Sequence, residues 1–374
     1  MITTILIPLD GSELARSALP YGLALAKAAG ARLVLFRAVS VLPVPGLDNW
    51  AAQKKAEAEA ERELEAEAAR LREEGLAVDA RVGGGDAAWA IRHAVQDLPA
   101  DLVVMSTHGR GGVGRWFYGS VAEQTLRLSP VPVVLVPPAC AWARAPRGGH
   151  MRILVPLDGS ELAESALRPA HQLATTLGAE LVLLRVVEPP PVDSFTLTGD
   201  WPARAETTAV EERLAAARDS LEESAARVGV ADHVALRVVE QGDPAHQILE
   251  TARSVAATLI VMATHGRTGL TRLVMGSVAS AVVQRAVTPV VLVPPGGVAL
   301  GDAADRAAAA AAAEREPQPT AQLSLGESER QMLLDGLELL LVSADRGTPE
   351  AGAIRALAER LQAAGRLAPP APTR

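Results

Sequence analysis

The sequence predicts an α/β protein with two doubly wound, five-stranded parallel-sheet domains and a small helical C-terminal extension. The first observation behind this prediction is an internal repeat. Ile-Pro-Leu-Asp-Gly-Ser at 7–12 returns as Val-Pro-Leu-Asp-Gly-Ser at 155–160, and Val-Met-Ser-Thr-His-Gly-Arg at 104–110 returns as Val-Met-Ala-Thr-His-Gly-Arg at 261–267. A period of about 150 residues is too long for a solenoid, so the chain contains a duplicated domain.

The second observation is the alternation of short apolar runs with longer helical patterns, which is typical of a parallel sheet with helices between its strands. The runs are almost wholly apolar, as expected for strands that helices cover on both faces. In the first copy the pattern predicts strands near 2–8, 32–39, 76–82, 101–106 and 132–136 and helices near 13–29, 50–74, 86–97 and 120–128. In the second copy it predicts strands near 152–156, 180–187, 233–239, 258–263 and 290–293 and helices near 161–177, 202–228, 244–256 and 277–287.

Several of the predicted helices carry signals of their own. Asp86 and Asp243 precede the third helix of each copy, where an aspartate can accept from the first-turn N–H groups, and Pro244 suits the first helical position. The stretch 54–74 is rich in Glu, Ala and Arg, with apolar residues at helical spacing. It therefore predicts an outer helix with a solvated, charged face.

These patterns divide the chain into four parts. We predict a first domain at 1–138, a linker at 139–150, a second domain at 151–295 and a tail at 296–374. The tail contains seven consecutive alanines at 307–313, which indicate a helical or flexible spacer. Beyond the spacer, the pattern predicts two amphipathic helices, at 327–342 and 349–364.

The composition excludes several classes of function. A net charge of −8 gives no electrostatic reason to expect DNA or RNA as a partner. The apolar runs are short and broken by proline or charge, so no membrane span is expected, and no basic leader precedes the first run. The single cysteine, Cys140, excludes an internal disulfide and suits a reducing compartment. We therefore expect a cytoplasmic protein.

The residues that can carry chemistry follow the first and fourth predicted strands of each copy. In a doubly wound sheet, ligands bind at the carboxyl ends of the strands, where the winding reverses direction. Asp10 and Asp158 follow the first strands, and the strings 106–110 and 263–267 follow the fourth strands. If the first and fourth strands are neighbours, these segments face each other across one crevice.

A glycine-rich loop leads from each fourth strand into a helix that opens with Gly119-Ser120 or Gly276-Ser277. The first N–H groups of a helix have no partner within it and lie at the positive end of its dipole, so such a loop can bind an anion. We expect Ser120 and Ser277 to cap these helices and to offer a hydroxyl. The second copy contains no lysine, so phosphate binding there must rely on other groups.

Together these residues resemble the universal stress protein family, and specifically its ATP-binding branch, over roughly 2–138 and 151–295. The signature of that branch is Gly-x2-Gly-x9-Gly-(Ser/Thr). Its last three positions match at Gly109, Gly119 and Ser120 and at Gly266, Gly276 and Ser277, whereas Ser106 and Ala263 stand at the first glycine. The resemblance implies a Rossmann-like, adenine nucleotide alpha hydrolase-like fold, with the first-strand aspartate near the adenosine and the glycine loop around the phosphates.

The resemblance implies ATP as the ligand of one or both copies and leaves open whether Mg²⁺ accompanies it. The residues implied to contact ATP lie at the ends of the first and fourth strands, in the glycine loop and at the start of the next helix. In the first copy they are Pro8, Leu9, Asp10, Met105, Ser106, His108, Gly109, Arg110, Gly119, Ser120 and Val121. In the second copy they are Pro156, Leu157, Asp158, Met262, Ala263, His265, Gly266, Arg267, Gly276, Ser277 and Val278.

Three hypotheses of function follow. A stress-response or signalling module that binds ATP is the leading one, because the phosphate loop is duplicated and no catalytic apparatus is. A slow ATPase or phosphoryl transferase would rely on the loop arginines, and a nucleotide-free scaffold would keep the loops as relics. No carboxylate recurs beside His108 and His265, which favours a structural role over a general base. Asp10 and Asp158 are also open to a role in helix capping alone.

The fifth strands, at 133–136 and 290–293, would be apolar sheet edges in isolated domains, and an unpaired apolar edge promotes association. Pairing the two edges with each other gives an internal pseudo-twofold dimer, which the resemblance also implies. A further homo-oligomer and an unknown protein partner stay open.

Overall fold

Strands and helices alternate through both repeats. The computed structural model describes residues 1–41, 48–107, 119–137, 151–188, 203–264 (of 203–209 the backbone alone), 275–295 and 300–301. The strands are β1 Thr4–Pro8, β2 Arg32–Val39, β3 Val78–Gly84, β4 Leu102–Ser106, β5 Val133–Val136, β6 Arg152–Leu157, β7 Glu180–Val187, β8 Val234–Gln241, β9 Leu259–Ala263 and β10 Val290–Val293. The helices are α1 Glu13–Arg16, α2 Leu19–Ala29, α3 Asn49–Glu73, α4 Ala87–Asp97, α5 Ser120–Leu128, α6 Glu161–Glu164, α7 Leu167–Leu177, α8 Ala203–Val228, α9 Pro244–Ser254 and α10 Ser277–Arg285. The predicted linker and the predicted tail helices lie outside the described residues.

All these strands join in one sheet, in the order β3-β2-β1-β4-β5-β10-β9-β6-β7-β8. Within each half, neighbouring strands run parallel, and the first strand lies between the second and the fourth. Leu6 of β1 is in register with Val34 of β2 and with Val103 of β4. β6 has the same neighbours in the second half, β7 and β9. The predicted doubly wound α/β class is confirmed. The first and fourth strands are neighbours in both halves, which is the condition for a shared crevice between the segments that follow them.

The two halves join through their fifth strands. β5 and β10 run antiparallel, and Val134 is in register with Val291. Both residues are fully buried. The expected pairing of the two edges is therefore confirmed, and the outer strands of the combined sheet are β3 and β8.

Helices cover both faces of the sheet, and successive residues along a strand enter opposite cores. Ile5 and Ile7 belong to a core that α1, α2 and α3 cover, whereas Leu6 belongs to a core that α4 and α5 cover. Each core contains residues of both halves, because the sheet is continuous across β5 and β10. The carboxyl ends of the parallel strands are left for the functional site.

The prediction of a single first helix in each copy is wrong, because two shorter helices form there. α1 ends at Arg16 and α2 begins at Leu19, and the same break separates α6 from α7. At the break the backbone tightens, and the N–H of Ala18 donates to the carbonyl of Ala15, three residues earlier, at 3.2 Å. Pro20 has no N–H to donate to the carbonyl of Arg16, so the regular helical ladder cannot run through this point.

Candidate functional site

Each first strand ends in an aspartate that the following turn holds in place. Oδ1 of Asp10 accepts hydrogen bonds from the backbone N–H of Ser12 at 2.9 Å and from its hydroxyl at 2.6 Å. Oγ of Ser12 accepts from the N–H of Ala15 and caps α1. Asp158 and Ser160 repeat this arrangement with the same two distances. One carboxylate oxygen of each aspartate is therefore committed to orienting the serine that caps the helix.

A backbone hydrogen bond joins the two ends of the loop that follows each fourth strand. The N–H of Gly119 donates to the carbonyl of Thr107 at 2.8 Å, and that of Gly276 donates to the carbonyl of Thr264 at 2.9 Å. Both threonines are buried, and their own N–H groups bond to the ends of β5 and β10. The ends of the loop are thus anchored to the sheet. The segments between these anchors carry the predicted residues His108, Gly109, Arg110, His265, Gly266 and Arg267, which lie outside the described residues.

Helices α5 and α10 begin without a side-chain cap. Gly119 and Gly276 are the N-cap residues, and no side chain accepts a hydrogen bond from the helix at this position. Ser120 and Ser277 are the first helical residues instead. The expectation that these serines cap the helices is therefore wrong, because the glycine before each of them occupies the cap position. First-turn N–H groups at the positive end of a helix dipole can bind an anion.

In the second half these elements surround a cavity of about 280 Å³. The ends of β6, β7 and β9 and the first turns of α9 and α10 form its walls. The predicted residues that line it are Pro156, Leu157, Asp158, Met262, Ala263, Gly276, Ser277 and Val278. The residues that sequence reasoning missed are Ala163, Leu184, Arg185, Val186, Glu188, Pro244, Ile248, Thr264 and Ala279.

Most of the missed residues come from β7 and α9. β7 lies beside β6 in the sheet, so its carboxyl end opens on the same crevice. The usual strand order of a doubly wound fold already places the second strand beside the first, and this signal could have identified the end of β7. Pro244 is the first residue of α9, and this helix start was the signal that could have identified α9 as another wall of the cavity.

In the first half, Asp10 lines a cavity of about 380 Å³ between the end of β2 and helix α3. Arg37, Glu59 and Glu63 contribute charged side chains to this cavity. The other described residues predicted for this half lie at the corresponding chain positions: Pro8 and Leu9 at the end of β1, Met105 and Ser106 at the end of β4, and Gly119, Ser120 and Val121 at the start of α5.

The described residues contribute few polar groups to the site. Among the described residues, no cluster of three or more His, Cys, Asp or Glu side chains could hold a metal ion. Within the same residues, no helix combines the length and the apolar character needed to cross a membrane. The described part of the crevices offers backbone N–H groups, hydroxyls and a small number of charged side chains.

The fold and its repeated crevice define a tandem, doubly wound α/β protein. A model of the universal stress protein family matches residues 1–137 and 150–294. The chain therefore belongs to the universal stress protein family and carries two such domains in tandem.

Relatives of known sequence or structure agree with this assignment. A universal stress protein of Mycolicibacterium smegmatis is 33% identical over 202 residues, which span 52% of this chain and 62% of that protein. Another, from Methanocaldococcus jannaschii, is 33% identical over 144 residues, which span 38% of this chain and 82% of that protein. The crystal structure of a universal stress protein from Archaeoglobus fulgidus has the same fold, with a TM-score of 0.55 at 22% identity over 78% of this chain and 98% of that one.

Proposed function

We propose that this tandem universal stress protein binds ATP in the crevice of each half. One observation carries the proposal: in the second half, a cavity, an aspartate and an uncapped helix N-terminus meet at the carboxyl ends of β6 and β9. Small-molecule sites are cavities of roughly 300–1,000 Å³ with mainly apolar walls and a few polar groups. A cavity of about 280 Å³ beside an anchored loop suits an adenosine, with the phosphates directed at the helix start.

The lining of this cavity supports a division of roles. Leu184, Val186, Ile248 and Met262 offer an apolar surface for a flat base. Asp158 can accept a hydrogen bond from a ribose hydroxyl. The first-turn N–H groups of α10 can donate to phosphate oxygens without desolvating a side-chain charge.

A Mg²⁺ ion that accompanies ATP would take most of its ligands from phosphate oxygens and water. Mg²⁺ dehydrates reluctantly, keeps several waters and is commonly held through substrate phosphates with one or two carboxylates. The described residues contain no cluster that could hold a metal ion by itself.

We propose binding rather than turnover as the activity. Phosphoryl transfer needs a positioned nucleophile and neutralisation of charge on the transferred group. The described residues that line the cavity include one guanidinium, Arg185, and neither lysine nor histidine. The output would be a change in the surface presented to a protein partner in the cytoplasm. Sustained phosphate release above the no-protein baseline would favour the ATPase alternative instead.

Calorimetric titration of nucleotide-stripped protein with ATP and Mg²⁺ tests the proposal. Val186 lines the second cavity, and Ala38 is its counterpart on β2, so Val186→Phe and Ala38→Phe should each block one site. Leu236→Phe adds similar bulk at an exposed position of β8 and serves as the control. We expect two sites in the wild type and the control, one in each single variant and none in the double variant.

Two results would contradict this expectation. Absence of binding heat together with absence of thermal stabilisation by ATP would make the scaffold hypothesis the leading one. ATP binding that survives the double variant unchanged would place the nucleotide outside these crevices.

A further inference from the structure

Arg185 lies beside the turn that carries the aspartate of the second crevice. It is in register with Leu157 at the last pair of residues between β6 and β7, so its side chain starts next to the end of β6. Leu157, Asp158 and Arg185 line the same cavity. The arginine therefore adjoins the site, although it belongs to none of the repeated motifs that identified it.

The guanidinium of Arg185 lies against the backbone of this turn. A Cβ atom at Gly159 would lie 2.5 Å from Nη1 of Arg185, 2.9 Å from its Nη2 and 3.1 Å from its Cζ, so the guanidinium occupies space that glycine leaves open. On the other side of Asp158, Nη1 lies 3.5 Å from the carbonyl oxygen of Leu157. Arg185 thus adjoins the backbone both before and after Asp158.

A separate contact orients the carboxylate of Asp158 within the turn. Its Oδ1 accepts hydrogen bonds from the N–H and the hydroxyl of Ser160. Because Ser160 belongs to the same turn, this contact moves with the turn and does not fix it relative to the rest of the cavity. The guanidinium comes from the neighbouring strand and relates the turn to β7, which forms another wall of the cavity.

We propose, building on the proposed ATP sites, that Arg185 is a positioning residue for ribose recognition. It fixes the turn so that Asp158 can accept a hydrogen bond from a ribose hydroxyl. A planar guanidinium suits this role, because its face can pack on a glycine while its edge donates to a carbonyl oxygen. A binding group that is held in place before the ligand arrives binds more tightly, since less ordering remains to be done.

Calorimetry on the nucleotide-stripped full chain tests this inference with two ligands. They are Mg²⁺-ATP and Mg²⁺-dideoxy-ATP, which lacks both ribose hydroxyls. The second-half site is the binding component that Val186→Phe removes. The variants are Arg185→Gln, Arg185→Lys and Asp158→Ala, and Arg253→Gln is the control for the loss of one positive charge, because Arg253 is an exposed residue of α9. Thermal unfolding of each variant without ligand shows whether the fold is retained.

We expect Arg185→Gln to weaken ATP at the second-half site about tenfold, the size of one lost hydrogen bond to a charged group, and dideoxy-ATP about twofold or less. Asp158→Ala should show the same pattern. Its combination with Arg185→Gln should lose no more than Asp158→Ala alone, because the arginine acts through the aspartate. Arg185→Lys should stay weakened, because lysine keeps the charge without the planar group. Arg253→Gln should change neither ligand.

Gly159→Ala tests the same contact from the side of the turn. The added Cβ would displace the guanidinium, so ATP should weaken about as much as in Arg185→Gln, and the two substitutions together should lose no more than either alone. Gly178→Ala is the matched control, because Gly178 also has a positive φ, +63° against +82°, but nothing lies within 4 Å of its Cβ position. It should leave the ATP affinity unchanged.

Equal losses of ATP and dideoxy-ATP affinity in Arg185→Gln would overturn the inference, because the arginine would then act on the phosphates or on the cavity as a whole. Unchanged ATP affinity in Arg185→Gln, full recovery in Arg185→Lys, or additive losses in the combination with Asp158→Ala would overturn it as well. So would equal affinities of the wild type for the two ligands. Failure of the proposed function itself looks different, since the wild type would then show no heat with ATP, or no component that Val186→Phe removes.

Discussion

At the scale of single residues, a shift of one position changes the role of Ser120 and Ser277. Serine is a preferred N-cap residue, and a Gly-Ser pair before an apolar helix does not show which of the two is the cap. In the structure the glycine is the cap and the serine begins the helix. No side-chain cap covers the start of either helix among the described residues, and the proposed phosphate contact depends on this.

Ser277→Asp separates the stability of this helix start from its proposed role. A carboxylate at the first helical position interacts favourably with the helix dipole, by about 0.3–1 kcal/mol, but repels a phosphate at the same place. We expect an unchanged or slightly raised melting temperature and a loss of ATP affinity of at least about tenfold. Ser277→Asn, which has the same shape without the charge, should lose much less. A similar loss in both variants would argue that shape, not charge, matters at this position.

We expect His171 to make the stability of the protein depend on pH. Its ring lies edge to face with that of His233, with centroids 4.2 Å apart. Its Nε2 is buried and has no hydrogen-bond partner in the described part of the chain. Burial, and secondly the charge of His233, lower the pKa of His171 below its ordinary value. Its counterpart in the first half is the apolar Leu23.

We expect the free energy of unfolding to decrease as the pH falls below about 6.5, the ordinary histidine pKa. The sign follows because the pKa of His171 is lowered on folding, so the unfolded chain binds more protons than the folded chain in this range. Urea unfolding, measured at several pH values between about 5 and about 8, tests this expectation. His171→Leu should flatten the profile, whereas His246→Gln, at an exposed position of α9, should not. An unchanged slope in His171→Leu would contradict this assignment.

At the scale of elements, the packing of α2 on β1 differs from that of α7 on β6 in a compensating way. A Cβ atom at Gly22 would collide with Cδ1 of Ile7, so the first half combines glycine with isoleucine. The second half has Ala170 and Val155 at the same two positions, and both are fully buried. The second half therefore has one carbon atom more on the helix and one fewer on the strand than the first half. Hydrophobic periodicity identified these elements correctly because it reports which face is buried, but it does not report such exchanges of volume.

Gly22→Ala should therefore destabilise the protein although alanine is the better helix former. The gain in helix propensity of about 1 kcal/mol is outweighed by an overpacking cost of about 1–3 kcal/mol. We expect a net loss of about 1 kcal/mol in urea unfolding. Ile7→Val, combined with Gly22→Ala, recreates the second-half pair and should restore most of the loss. A single Gly22→Ala variant more stable than the wild type would contradict the packing argument.

At the scale of the whole molecule, Leu300 and Gly301 connect the two halves. The N–H of Leu300 donates to Oε1 of Gln172 at 2.7 Å, and its carbonyl accepts from Nε2 of the same side chain at 2.9 Å. The N–H of Gly301 donates to Oδ1 of Asp101 at 3.0 Å. Gln172 belongs to the second half and Asp101 to the first. Leu300 and Gly301 therefore link the two halves, in addition to the pairing of β5 with β10.

Gly301→Ala tests this link. Gly301 has a φ of +95°, and a Cβ there would collide with the backbone of Met1. Gly30 is the matched control, because its φ is +63° but nothing lies within 4 Å of its Cβ position. Alanine in the left-handed region costs about 1–2 kcal/mol at either site, and only Gly301→Ala adds the collision. We expect a clearly larger drop in melting temperature for Gly301→Ala, and equal drops would show that the contact with Met1 contributes nothing.

Much of the fold was readable from local patterns. The apolar runs, the Asp-Gly-Ser turns and the duplicated loop placed the strands of both copies within a few residues, and the apolar fifth strands predicted that β5 meets β10. These features depend on residues close together in the chain, or on the general rule that an apolar edge must be covered. The candidate site was only partly predicted, because Leu184, Arg185 and Val186 come from a strand that carries no motif.

The class of the protein, its two repeats and the chain positions of the aspartates and of the glycine-led helix starts could all be read from the amino-acid sequence. The folded chain was needed to show that β7 lines the second cavity, that Glu63 of α3 forms an ion pair with Arg37, and that Leu300 hydrogen-bonds to Gln172. The difference comes from the separation of the contacting residues along the chain. Turns and periodicity follow from neighbouring residues, whereas these contacts depend on how helices and strands far apart in sequence pack against one sheet.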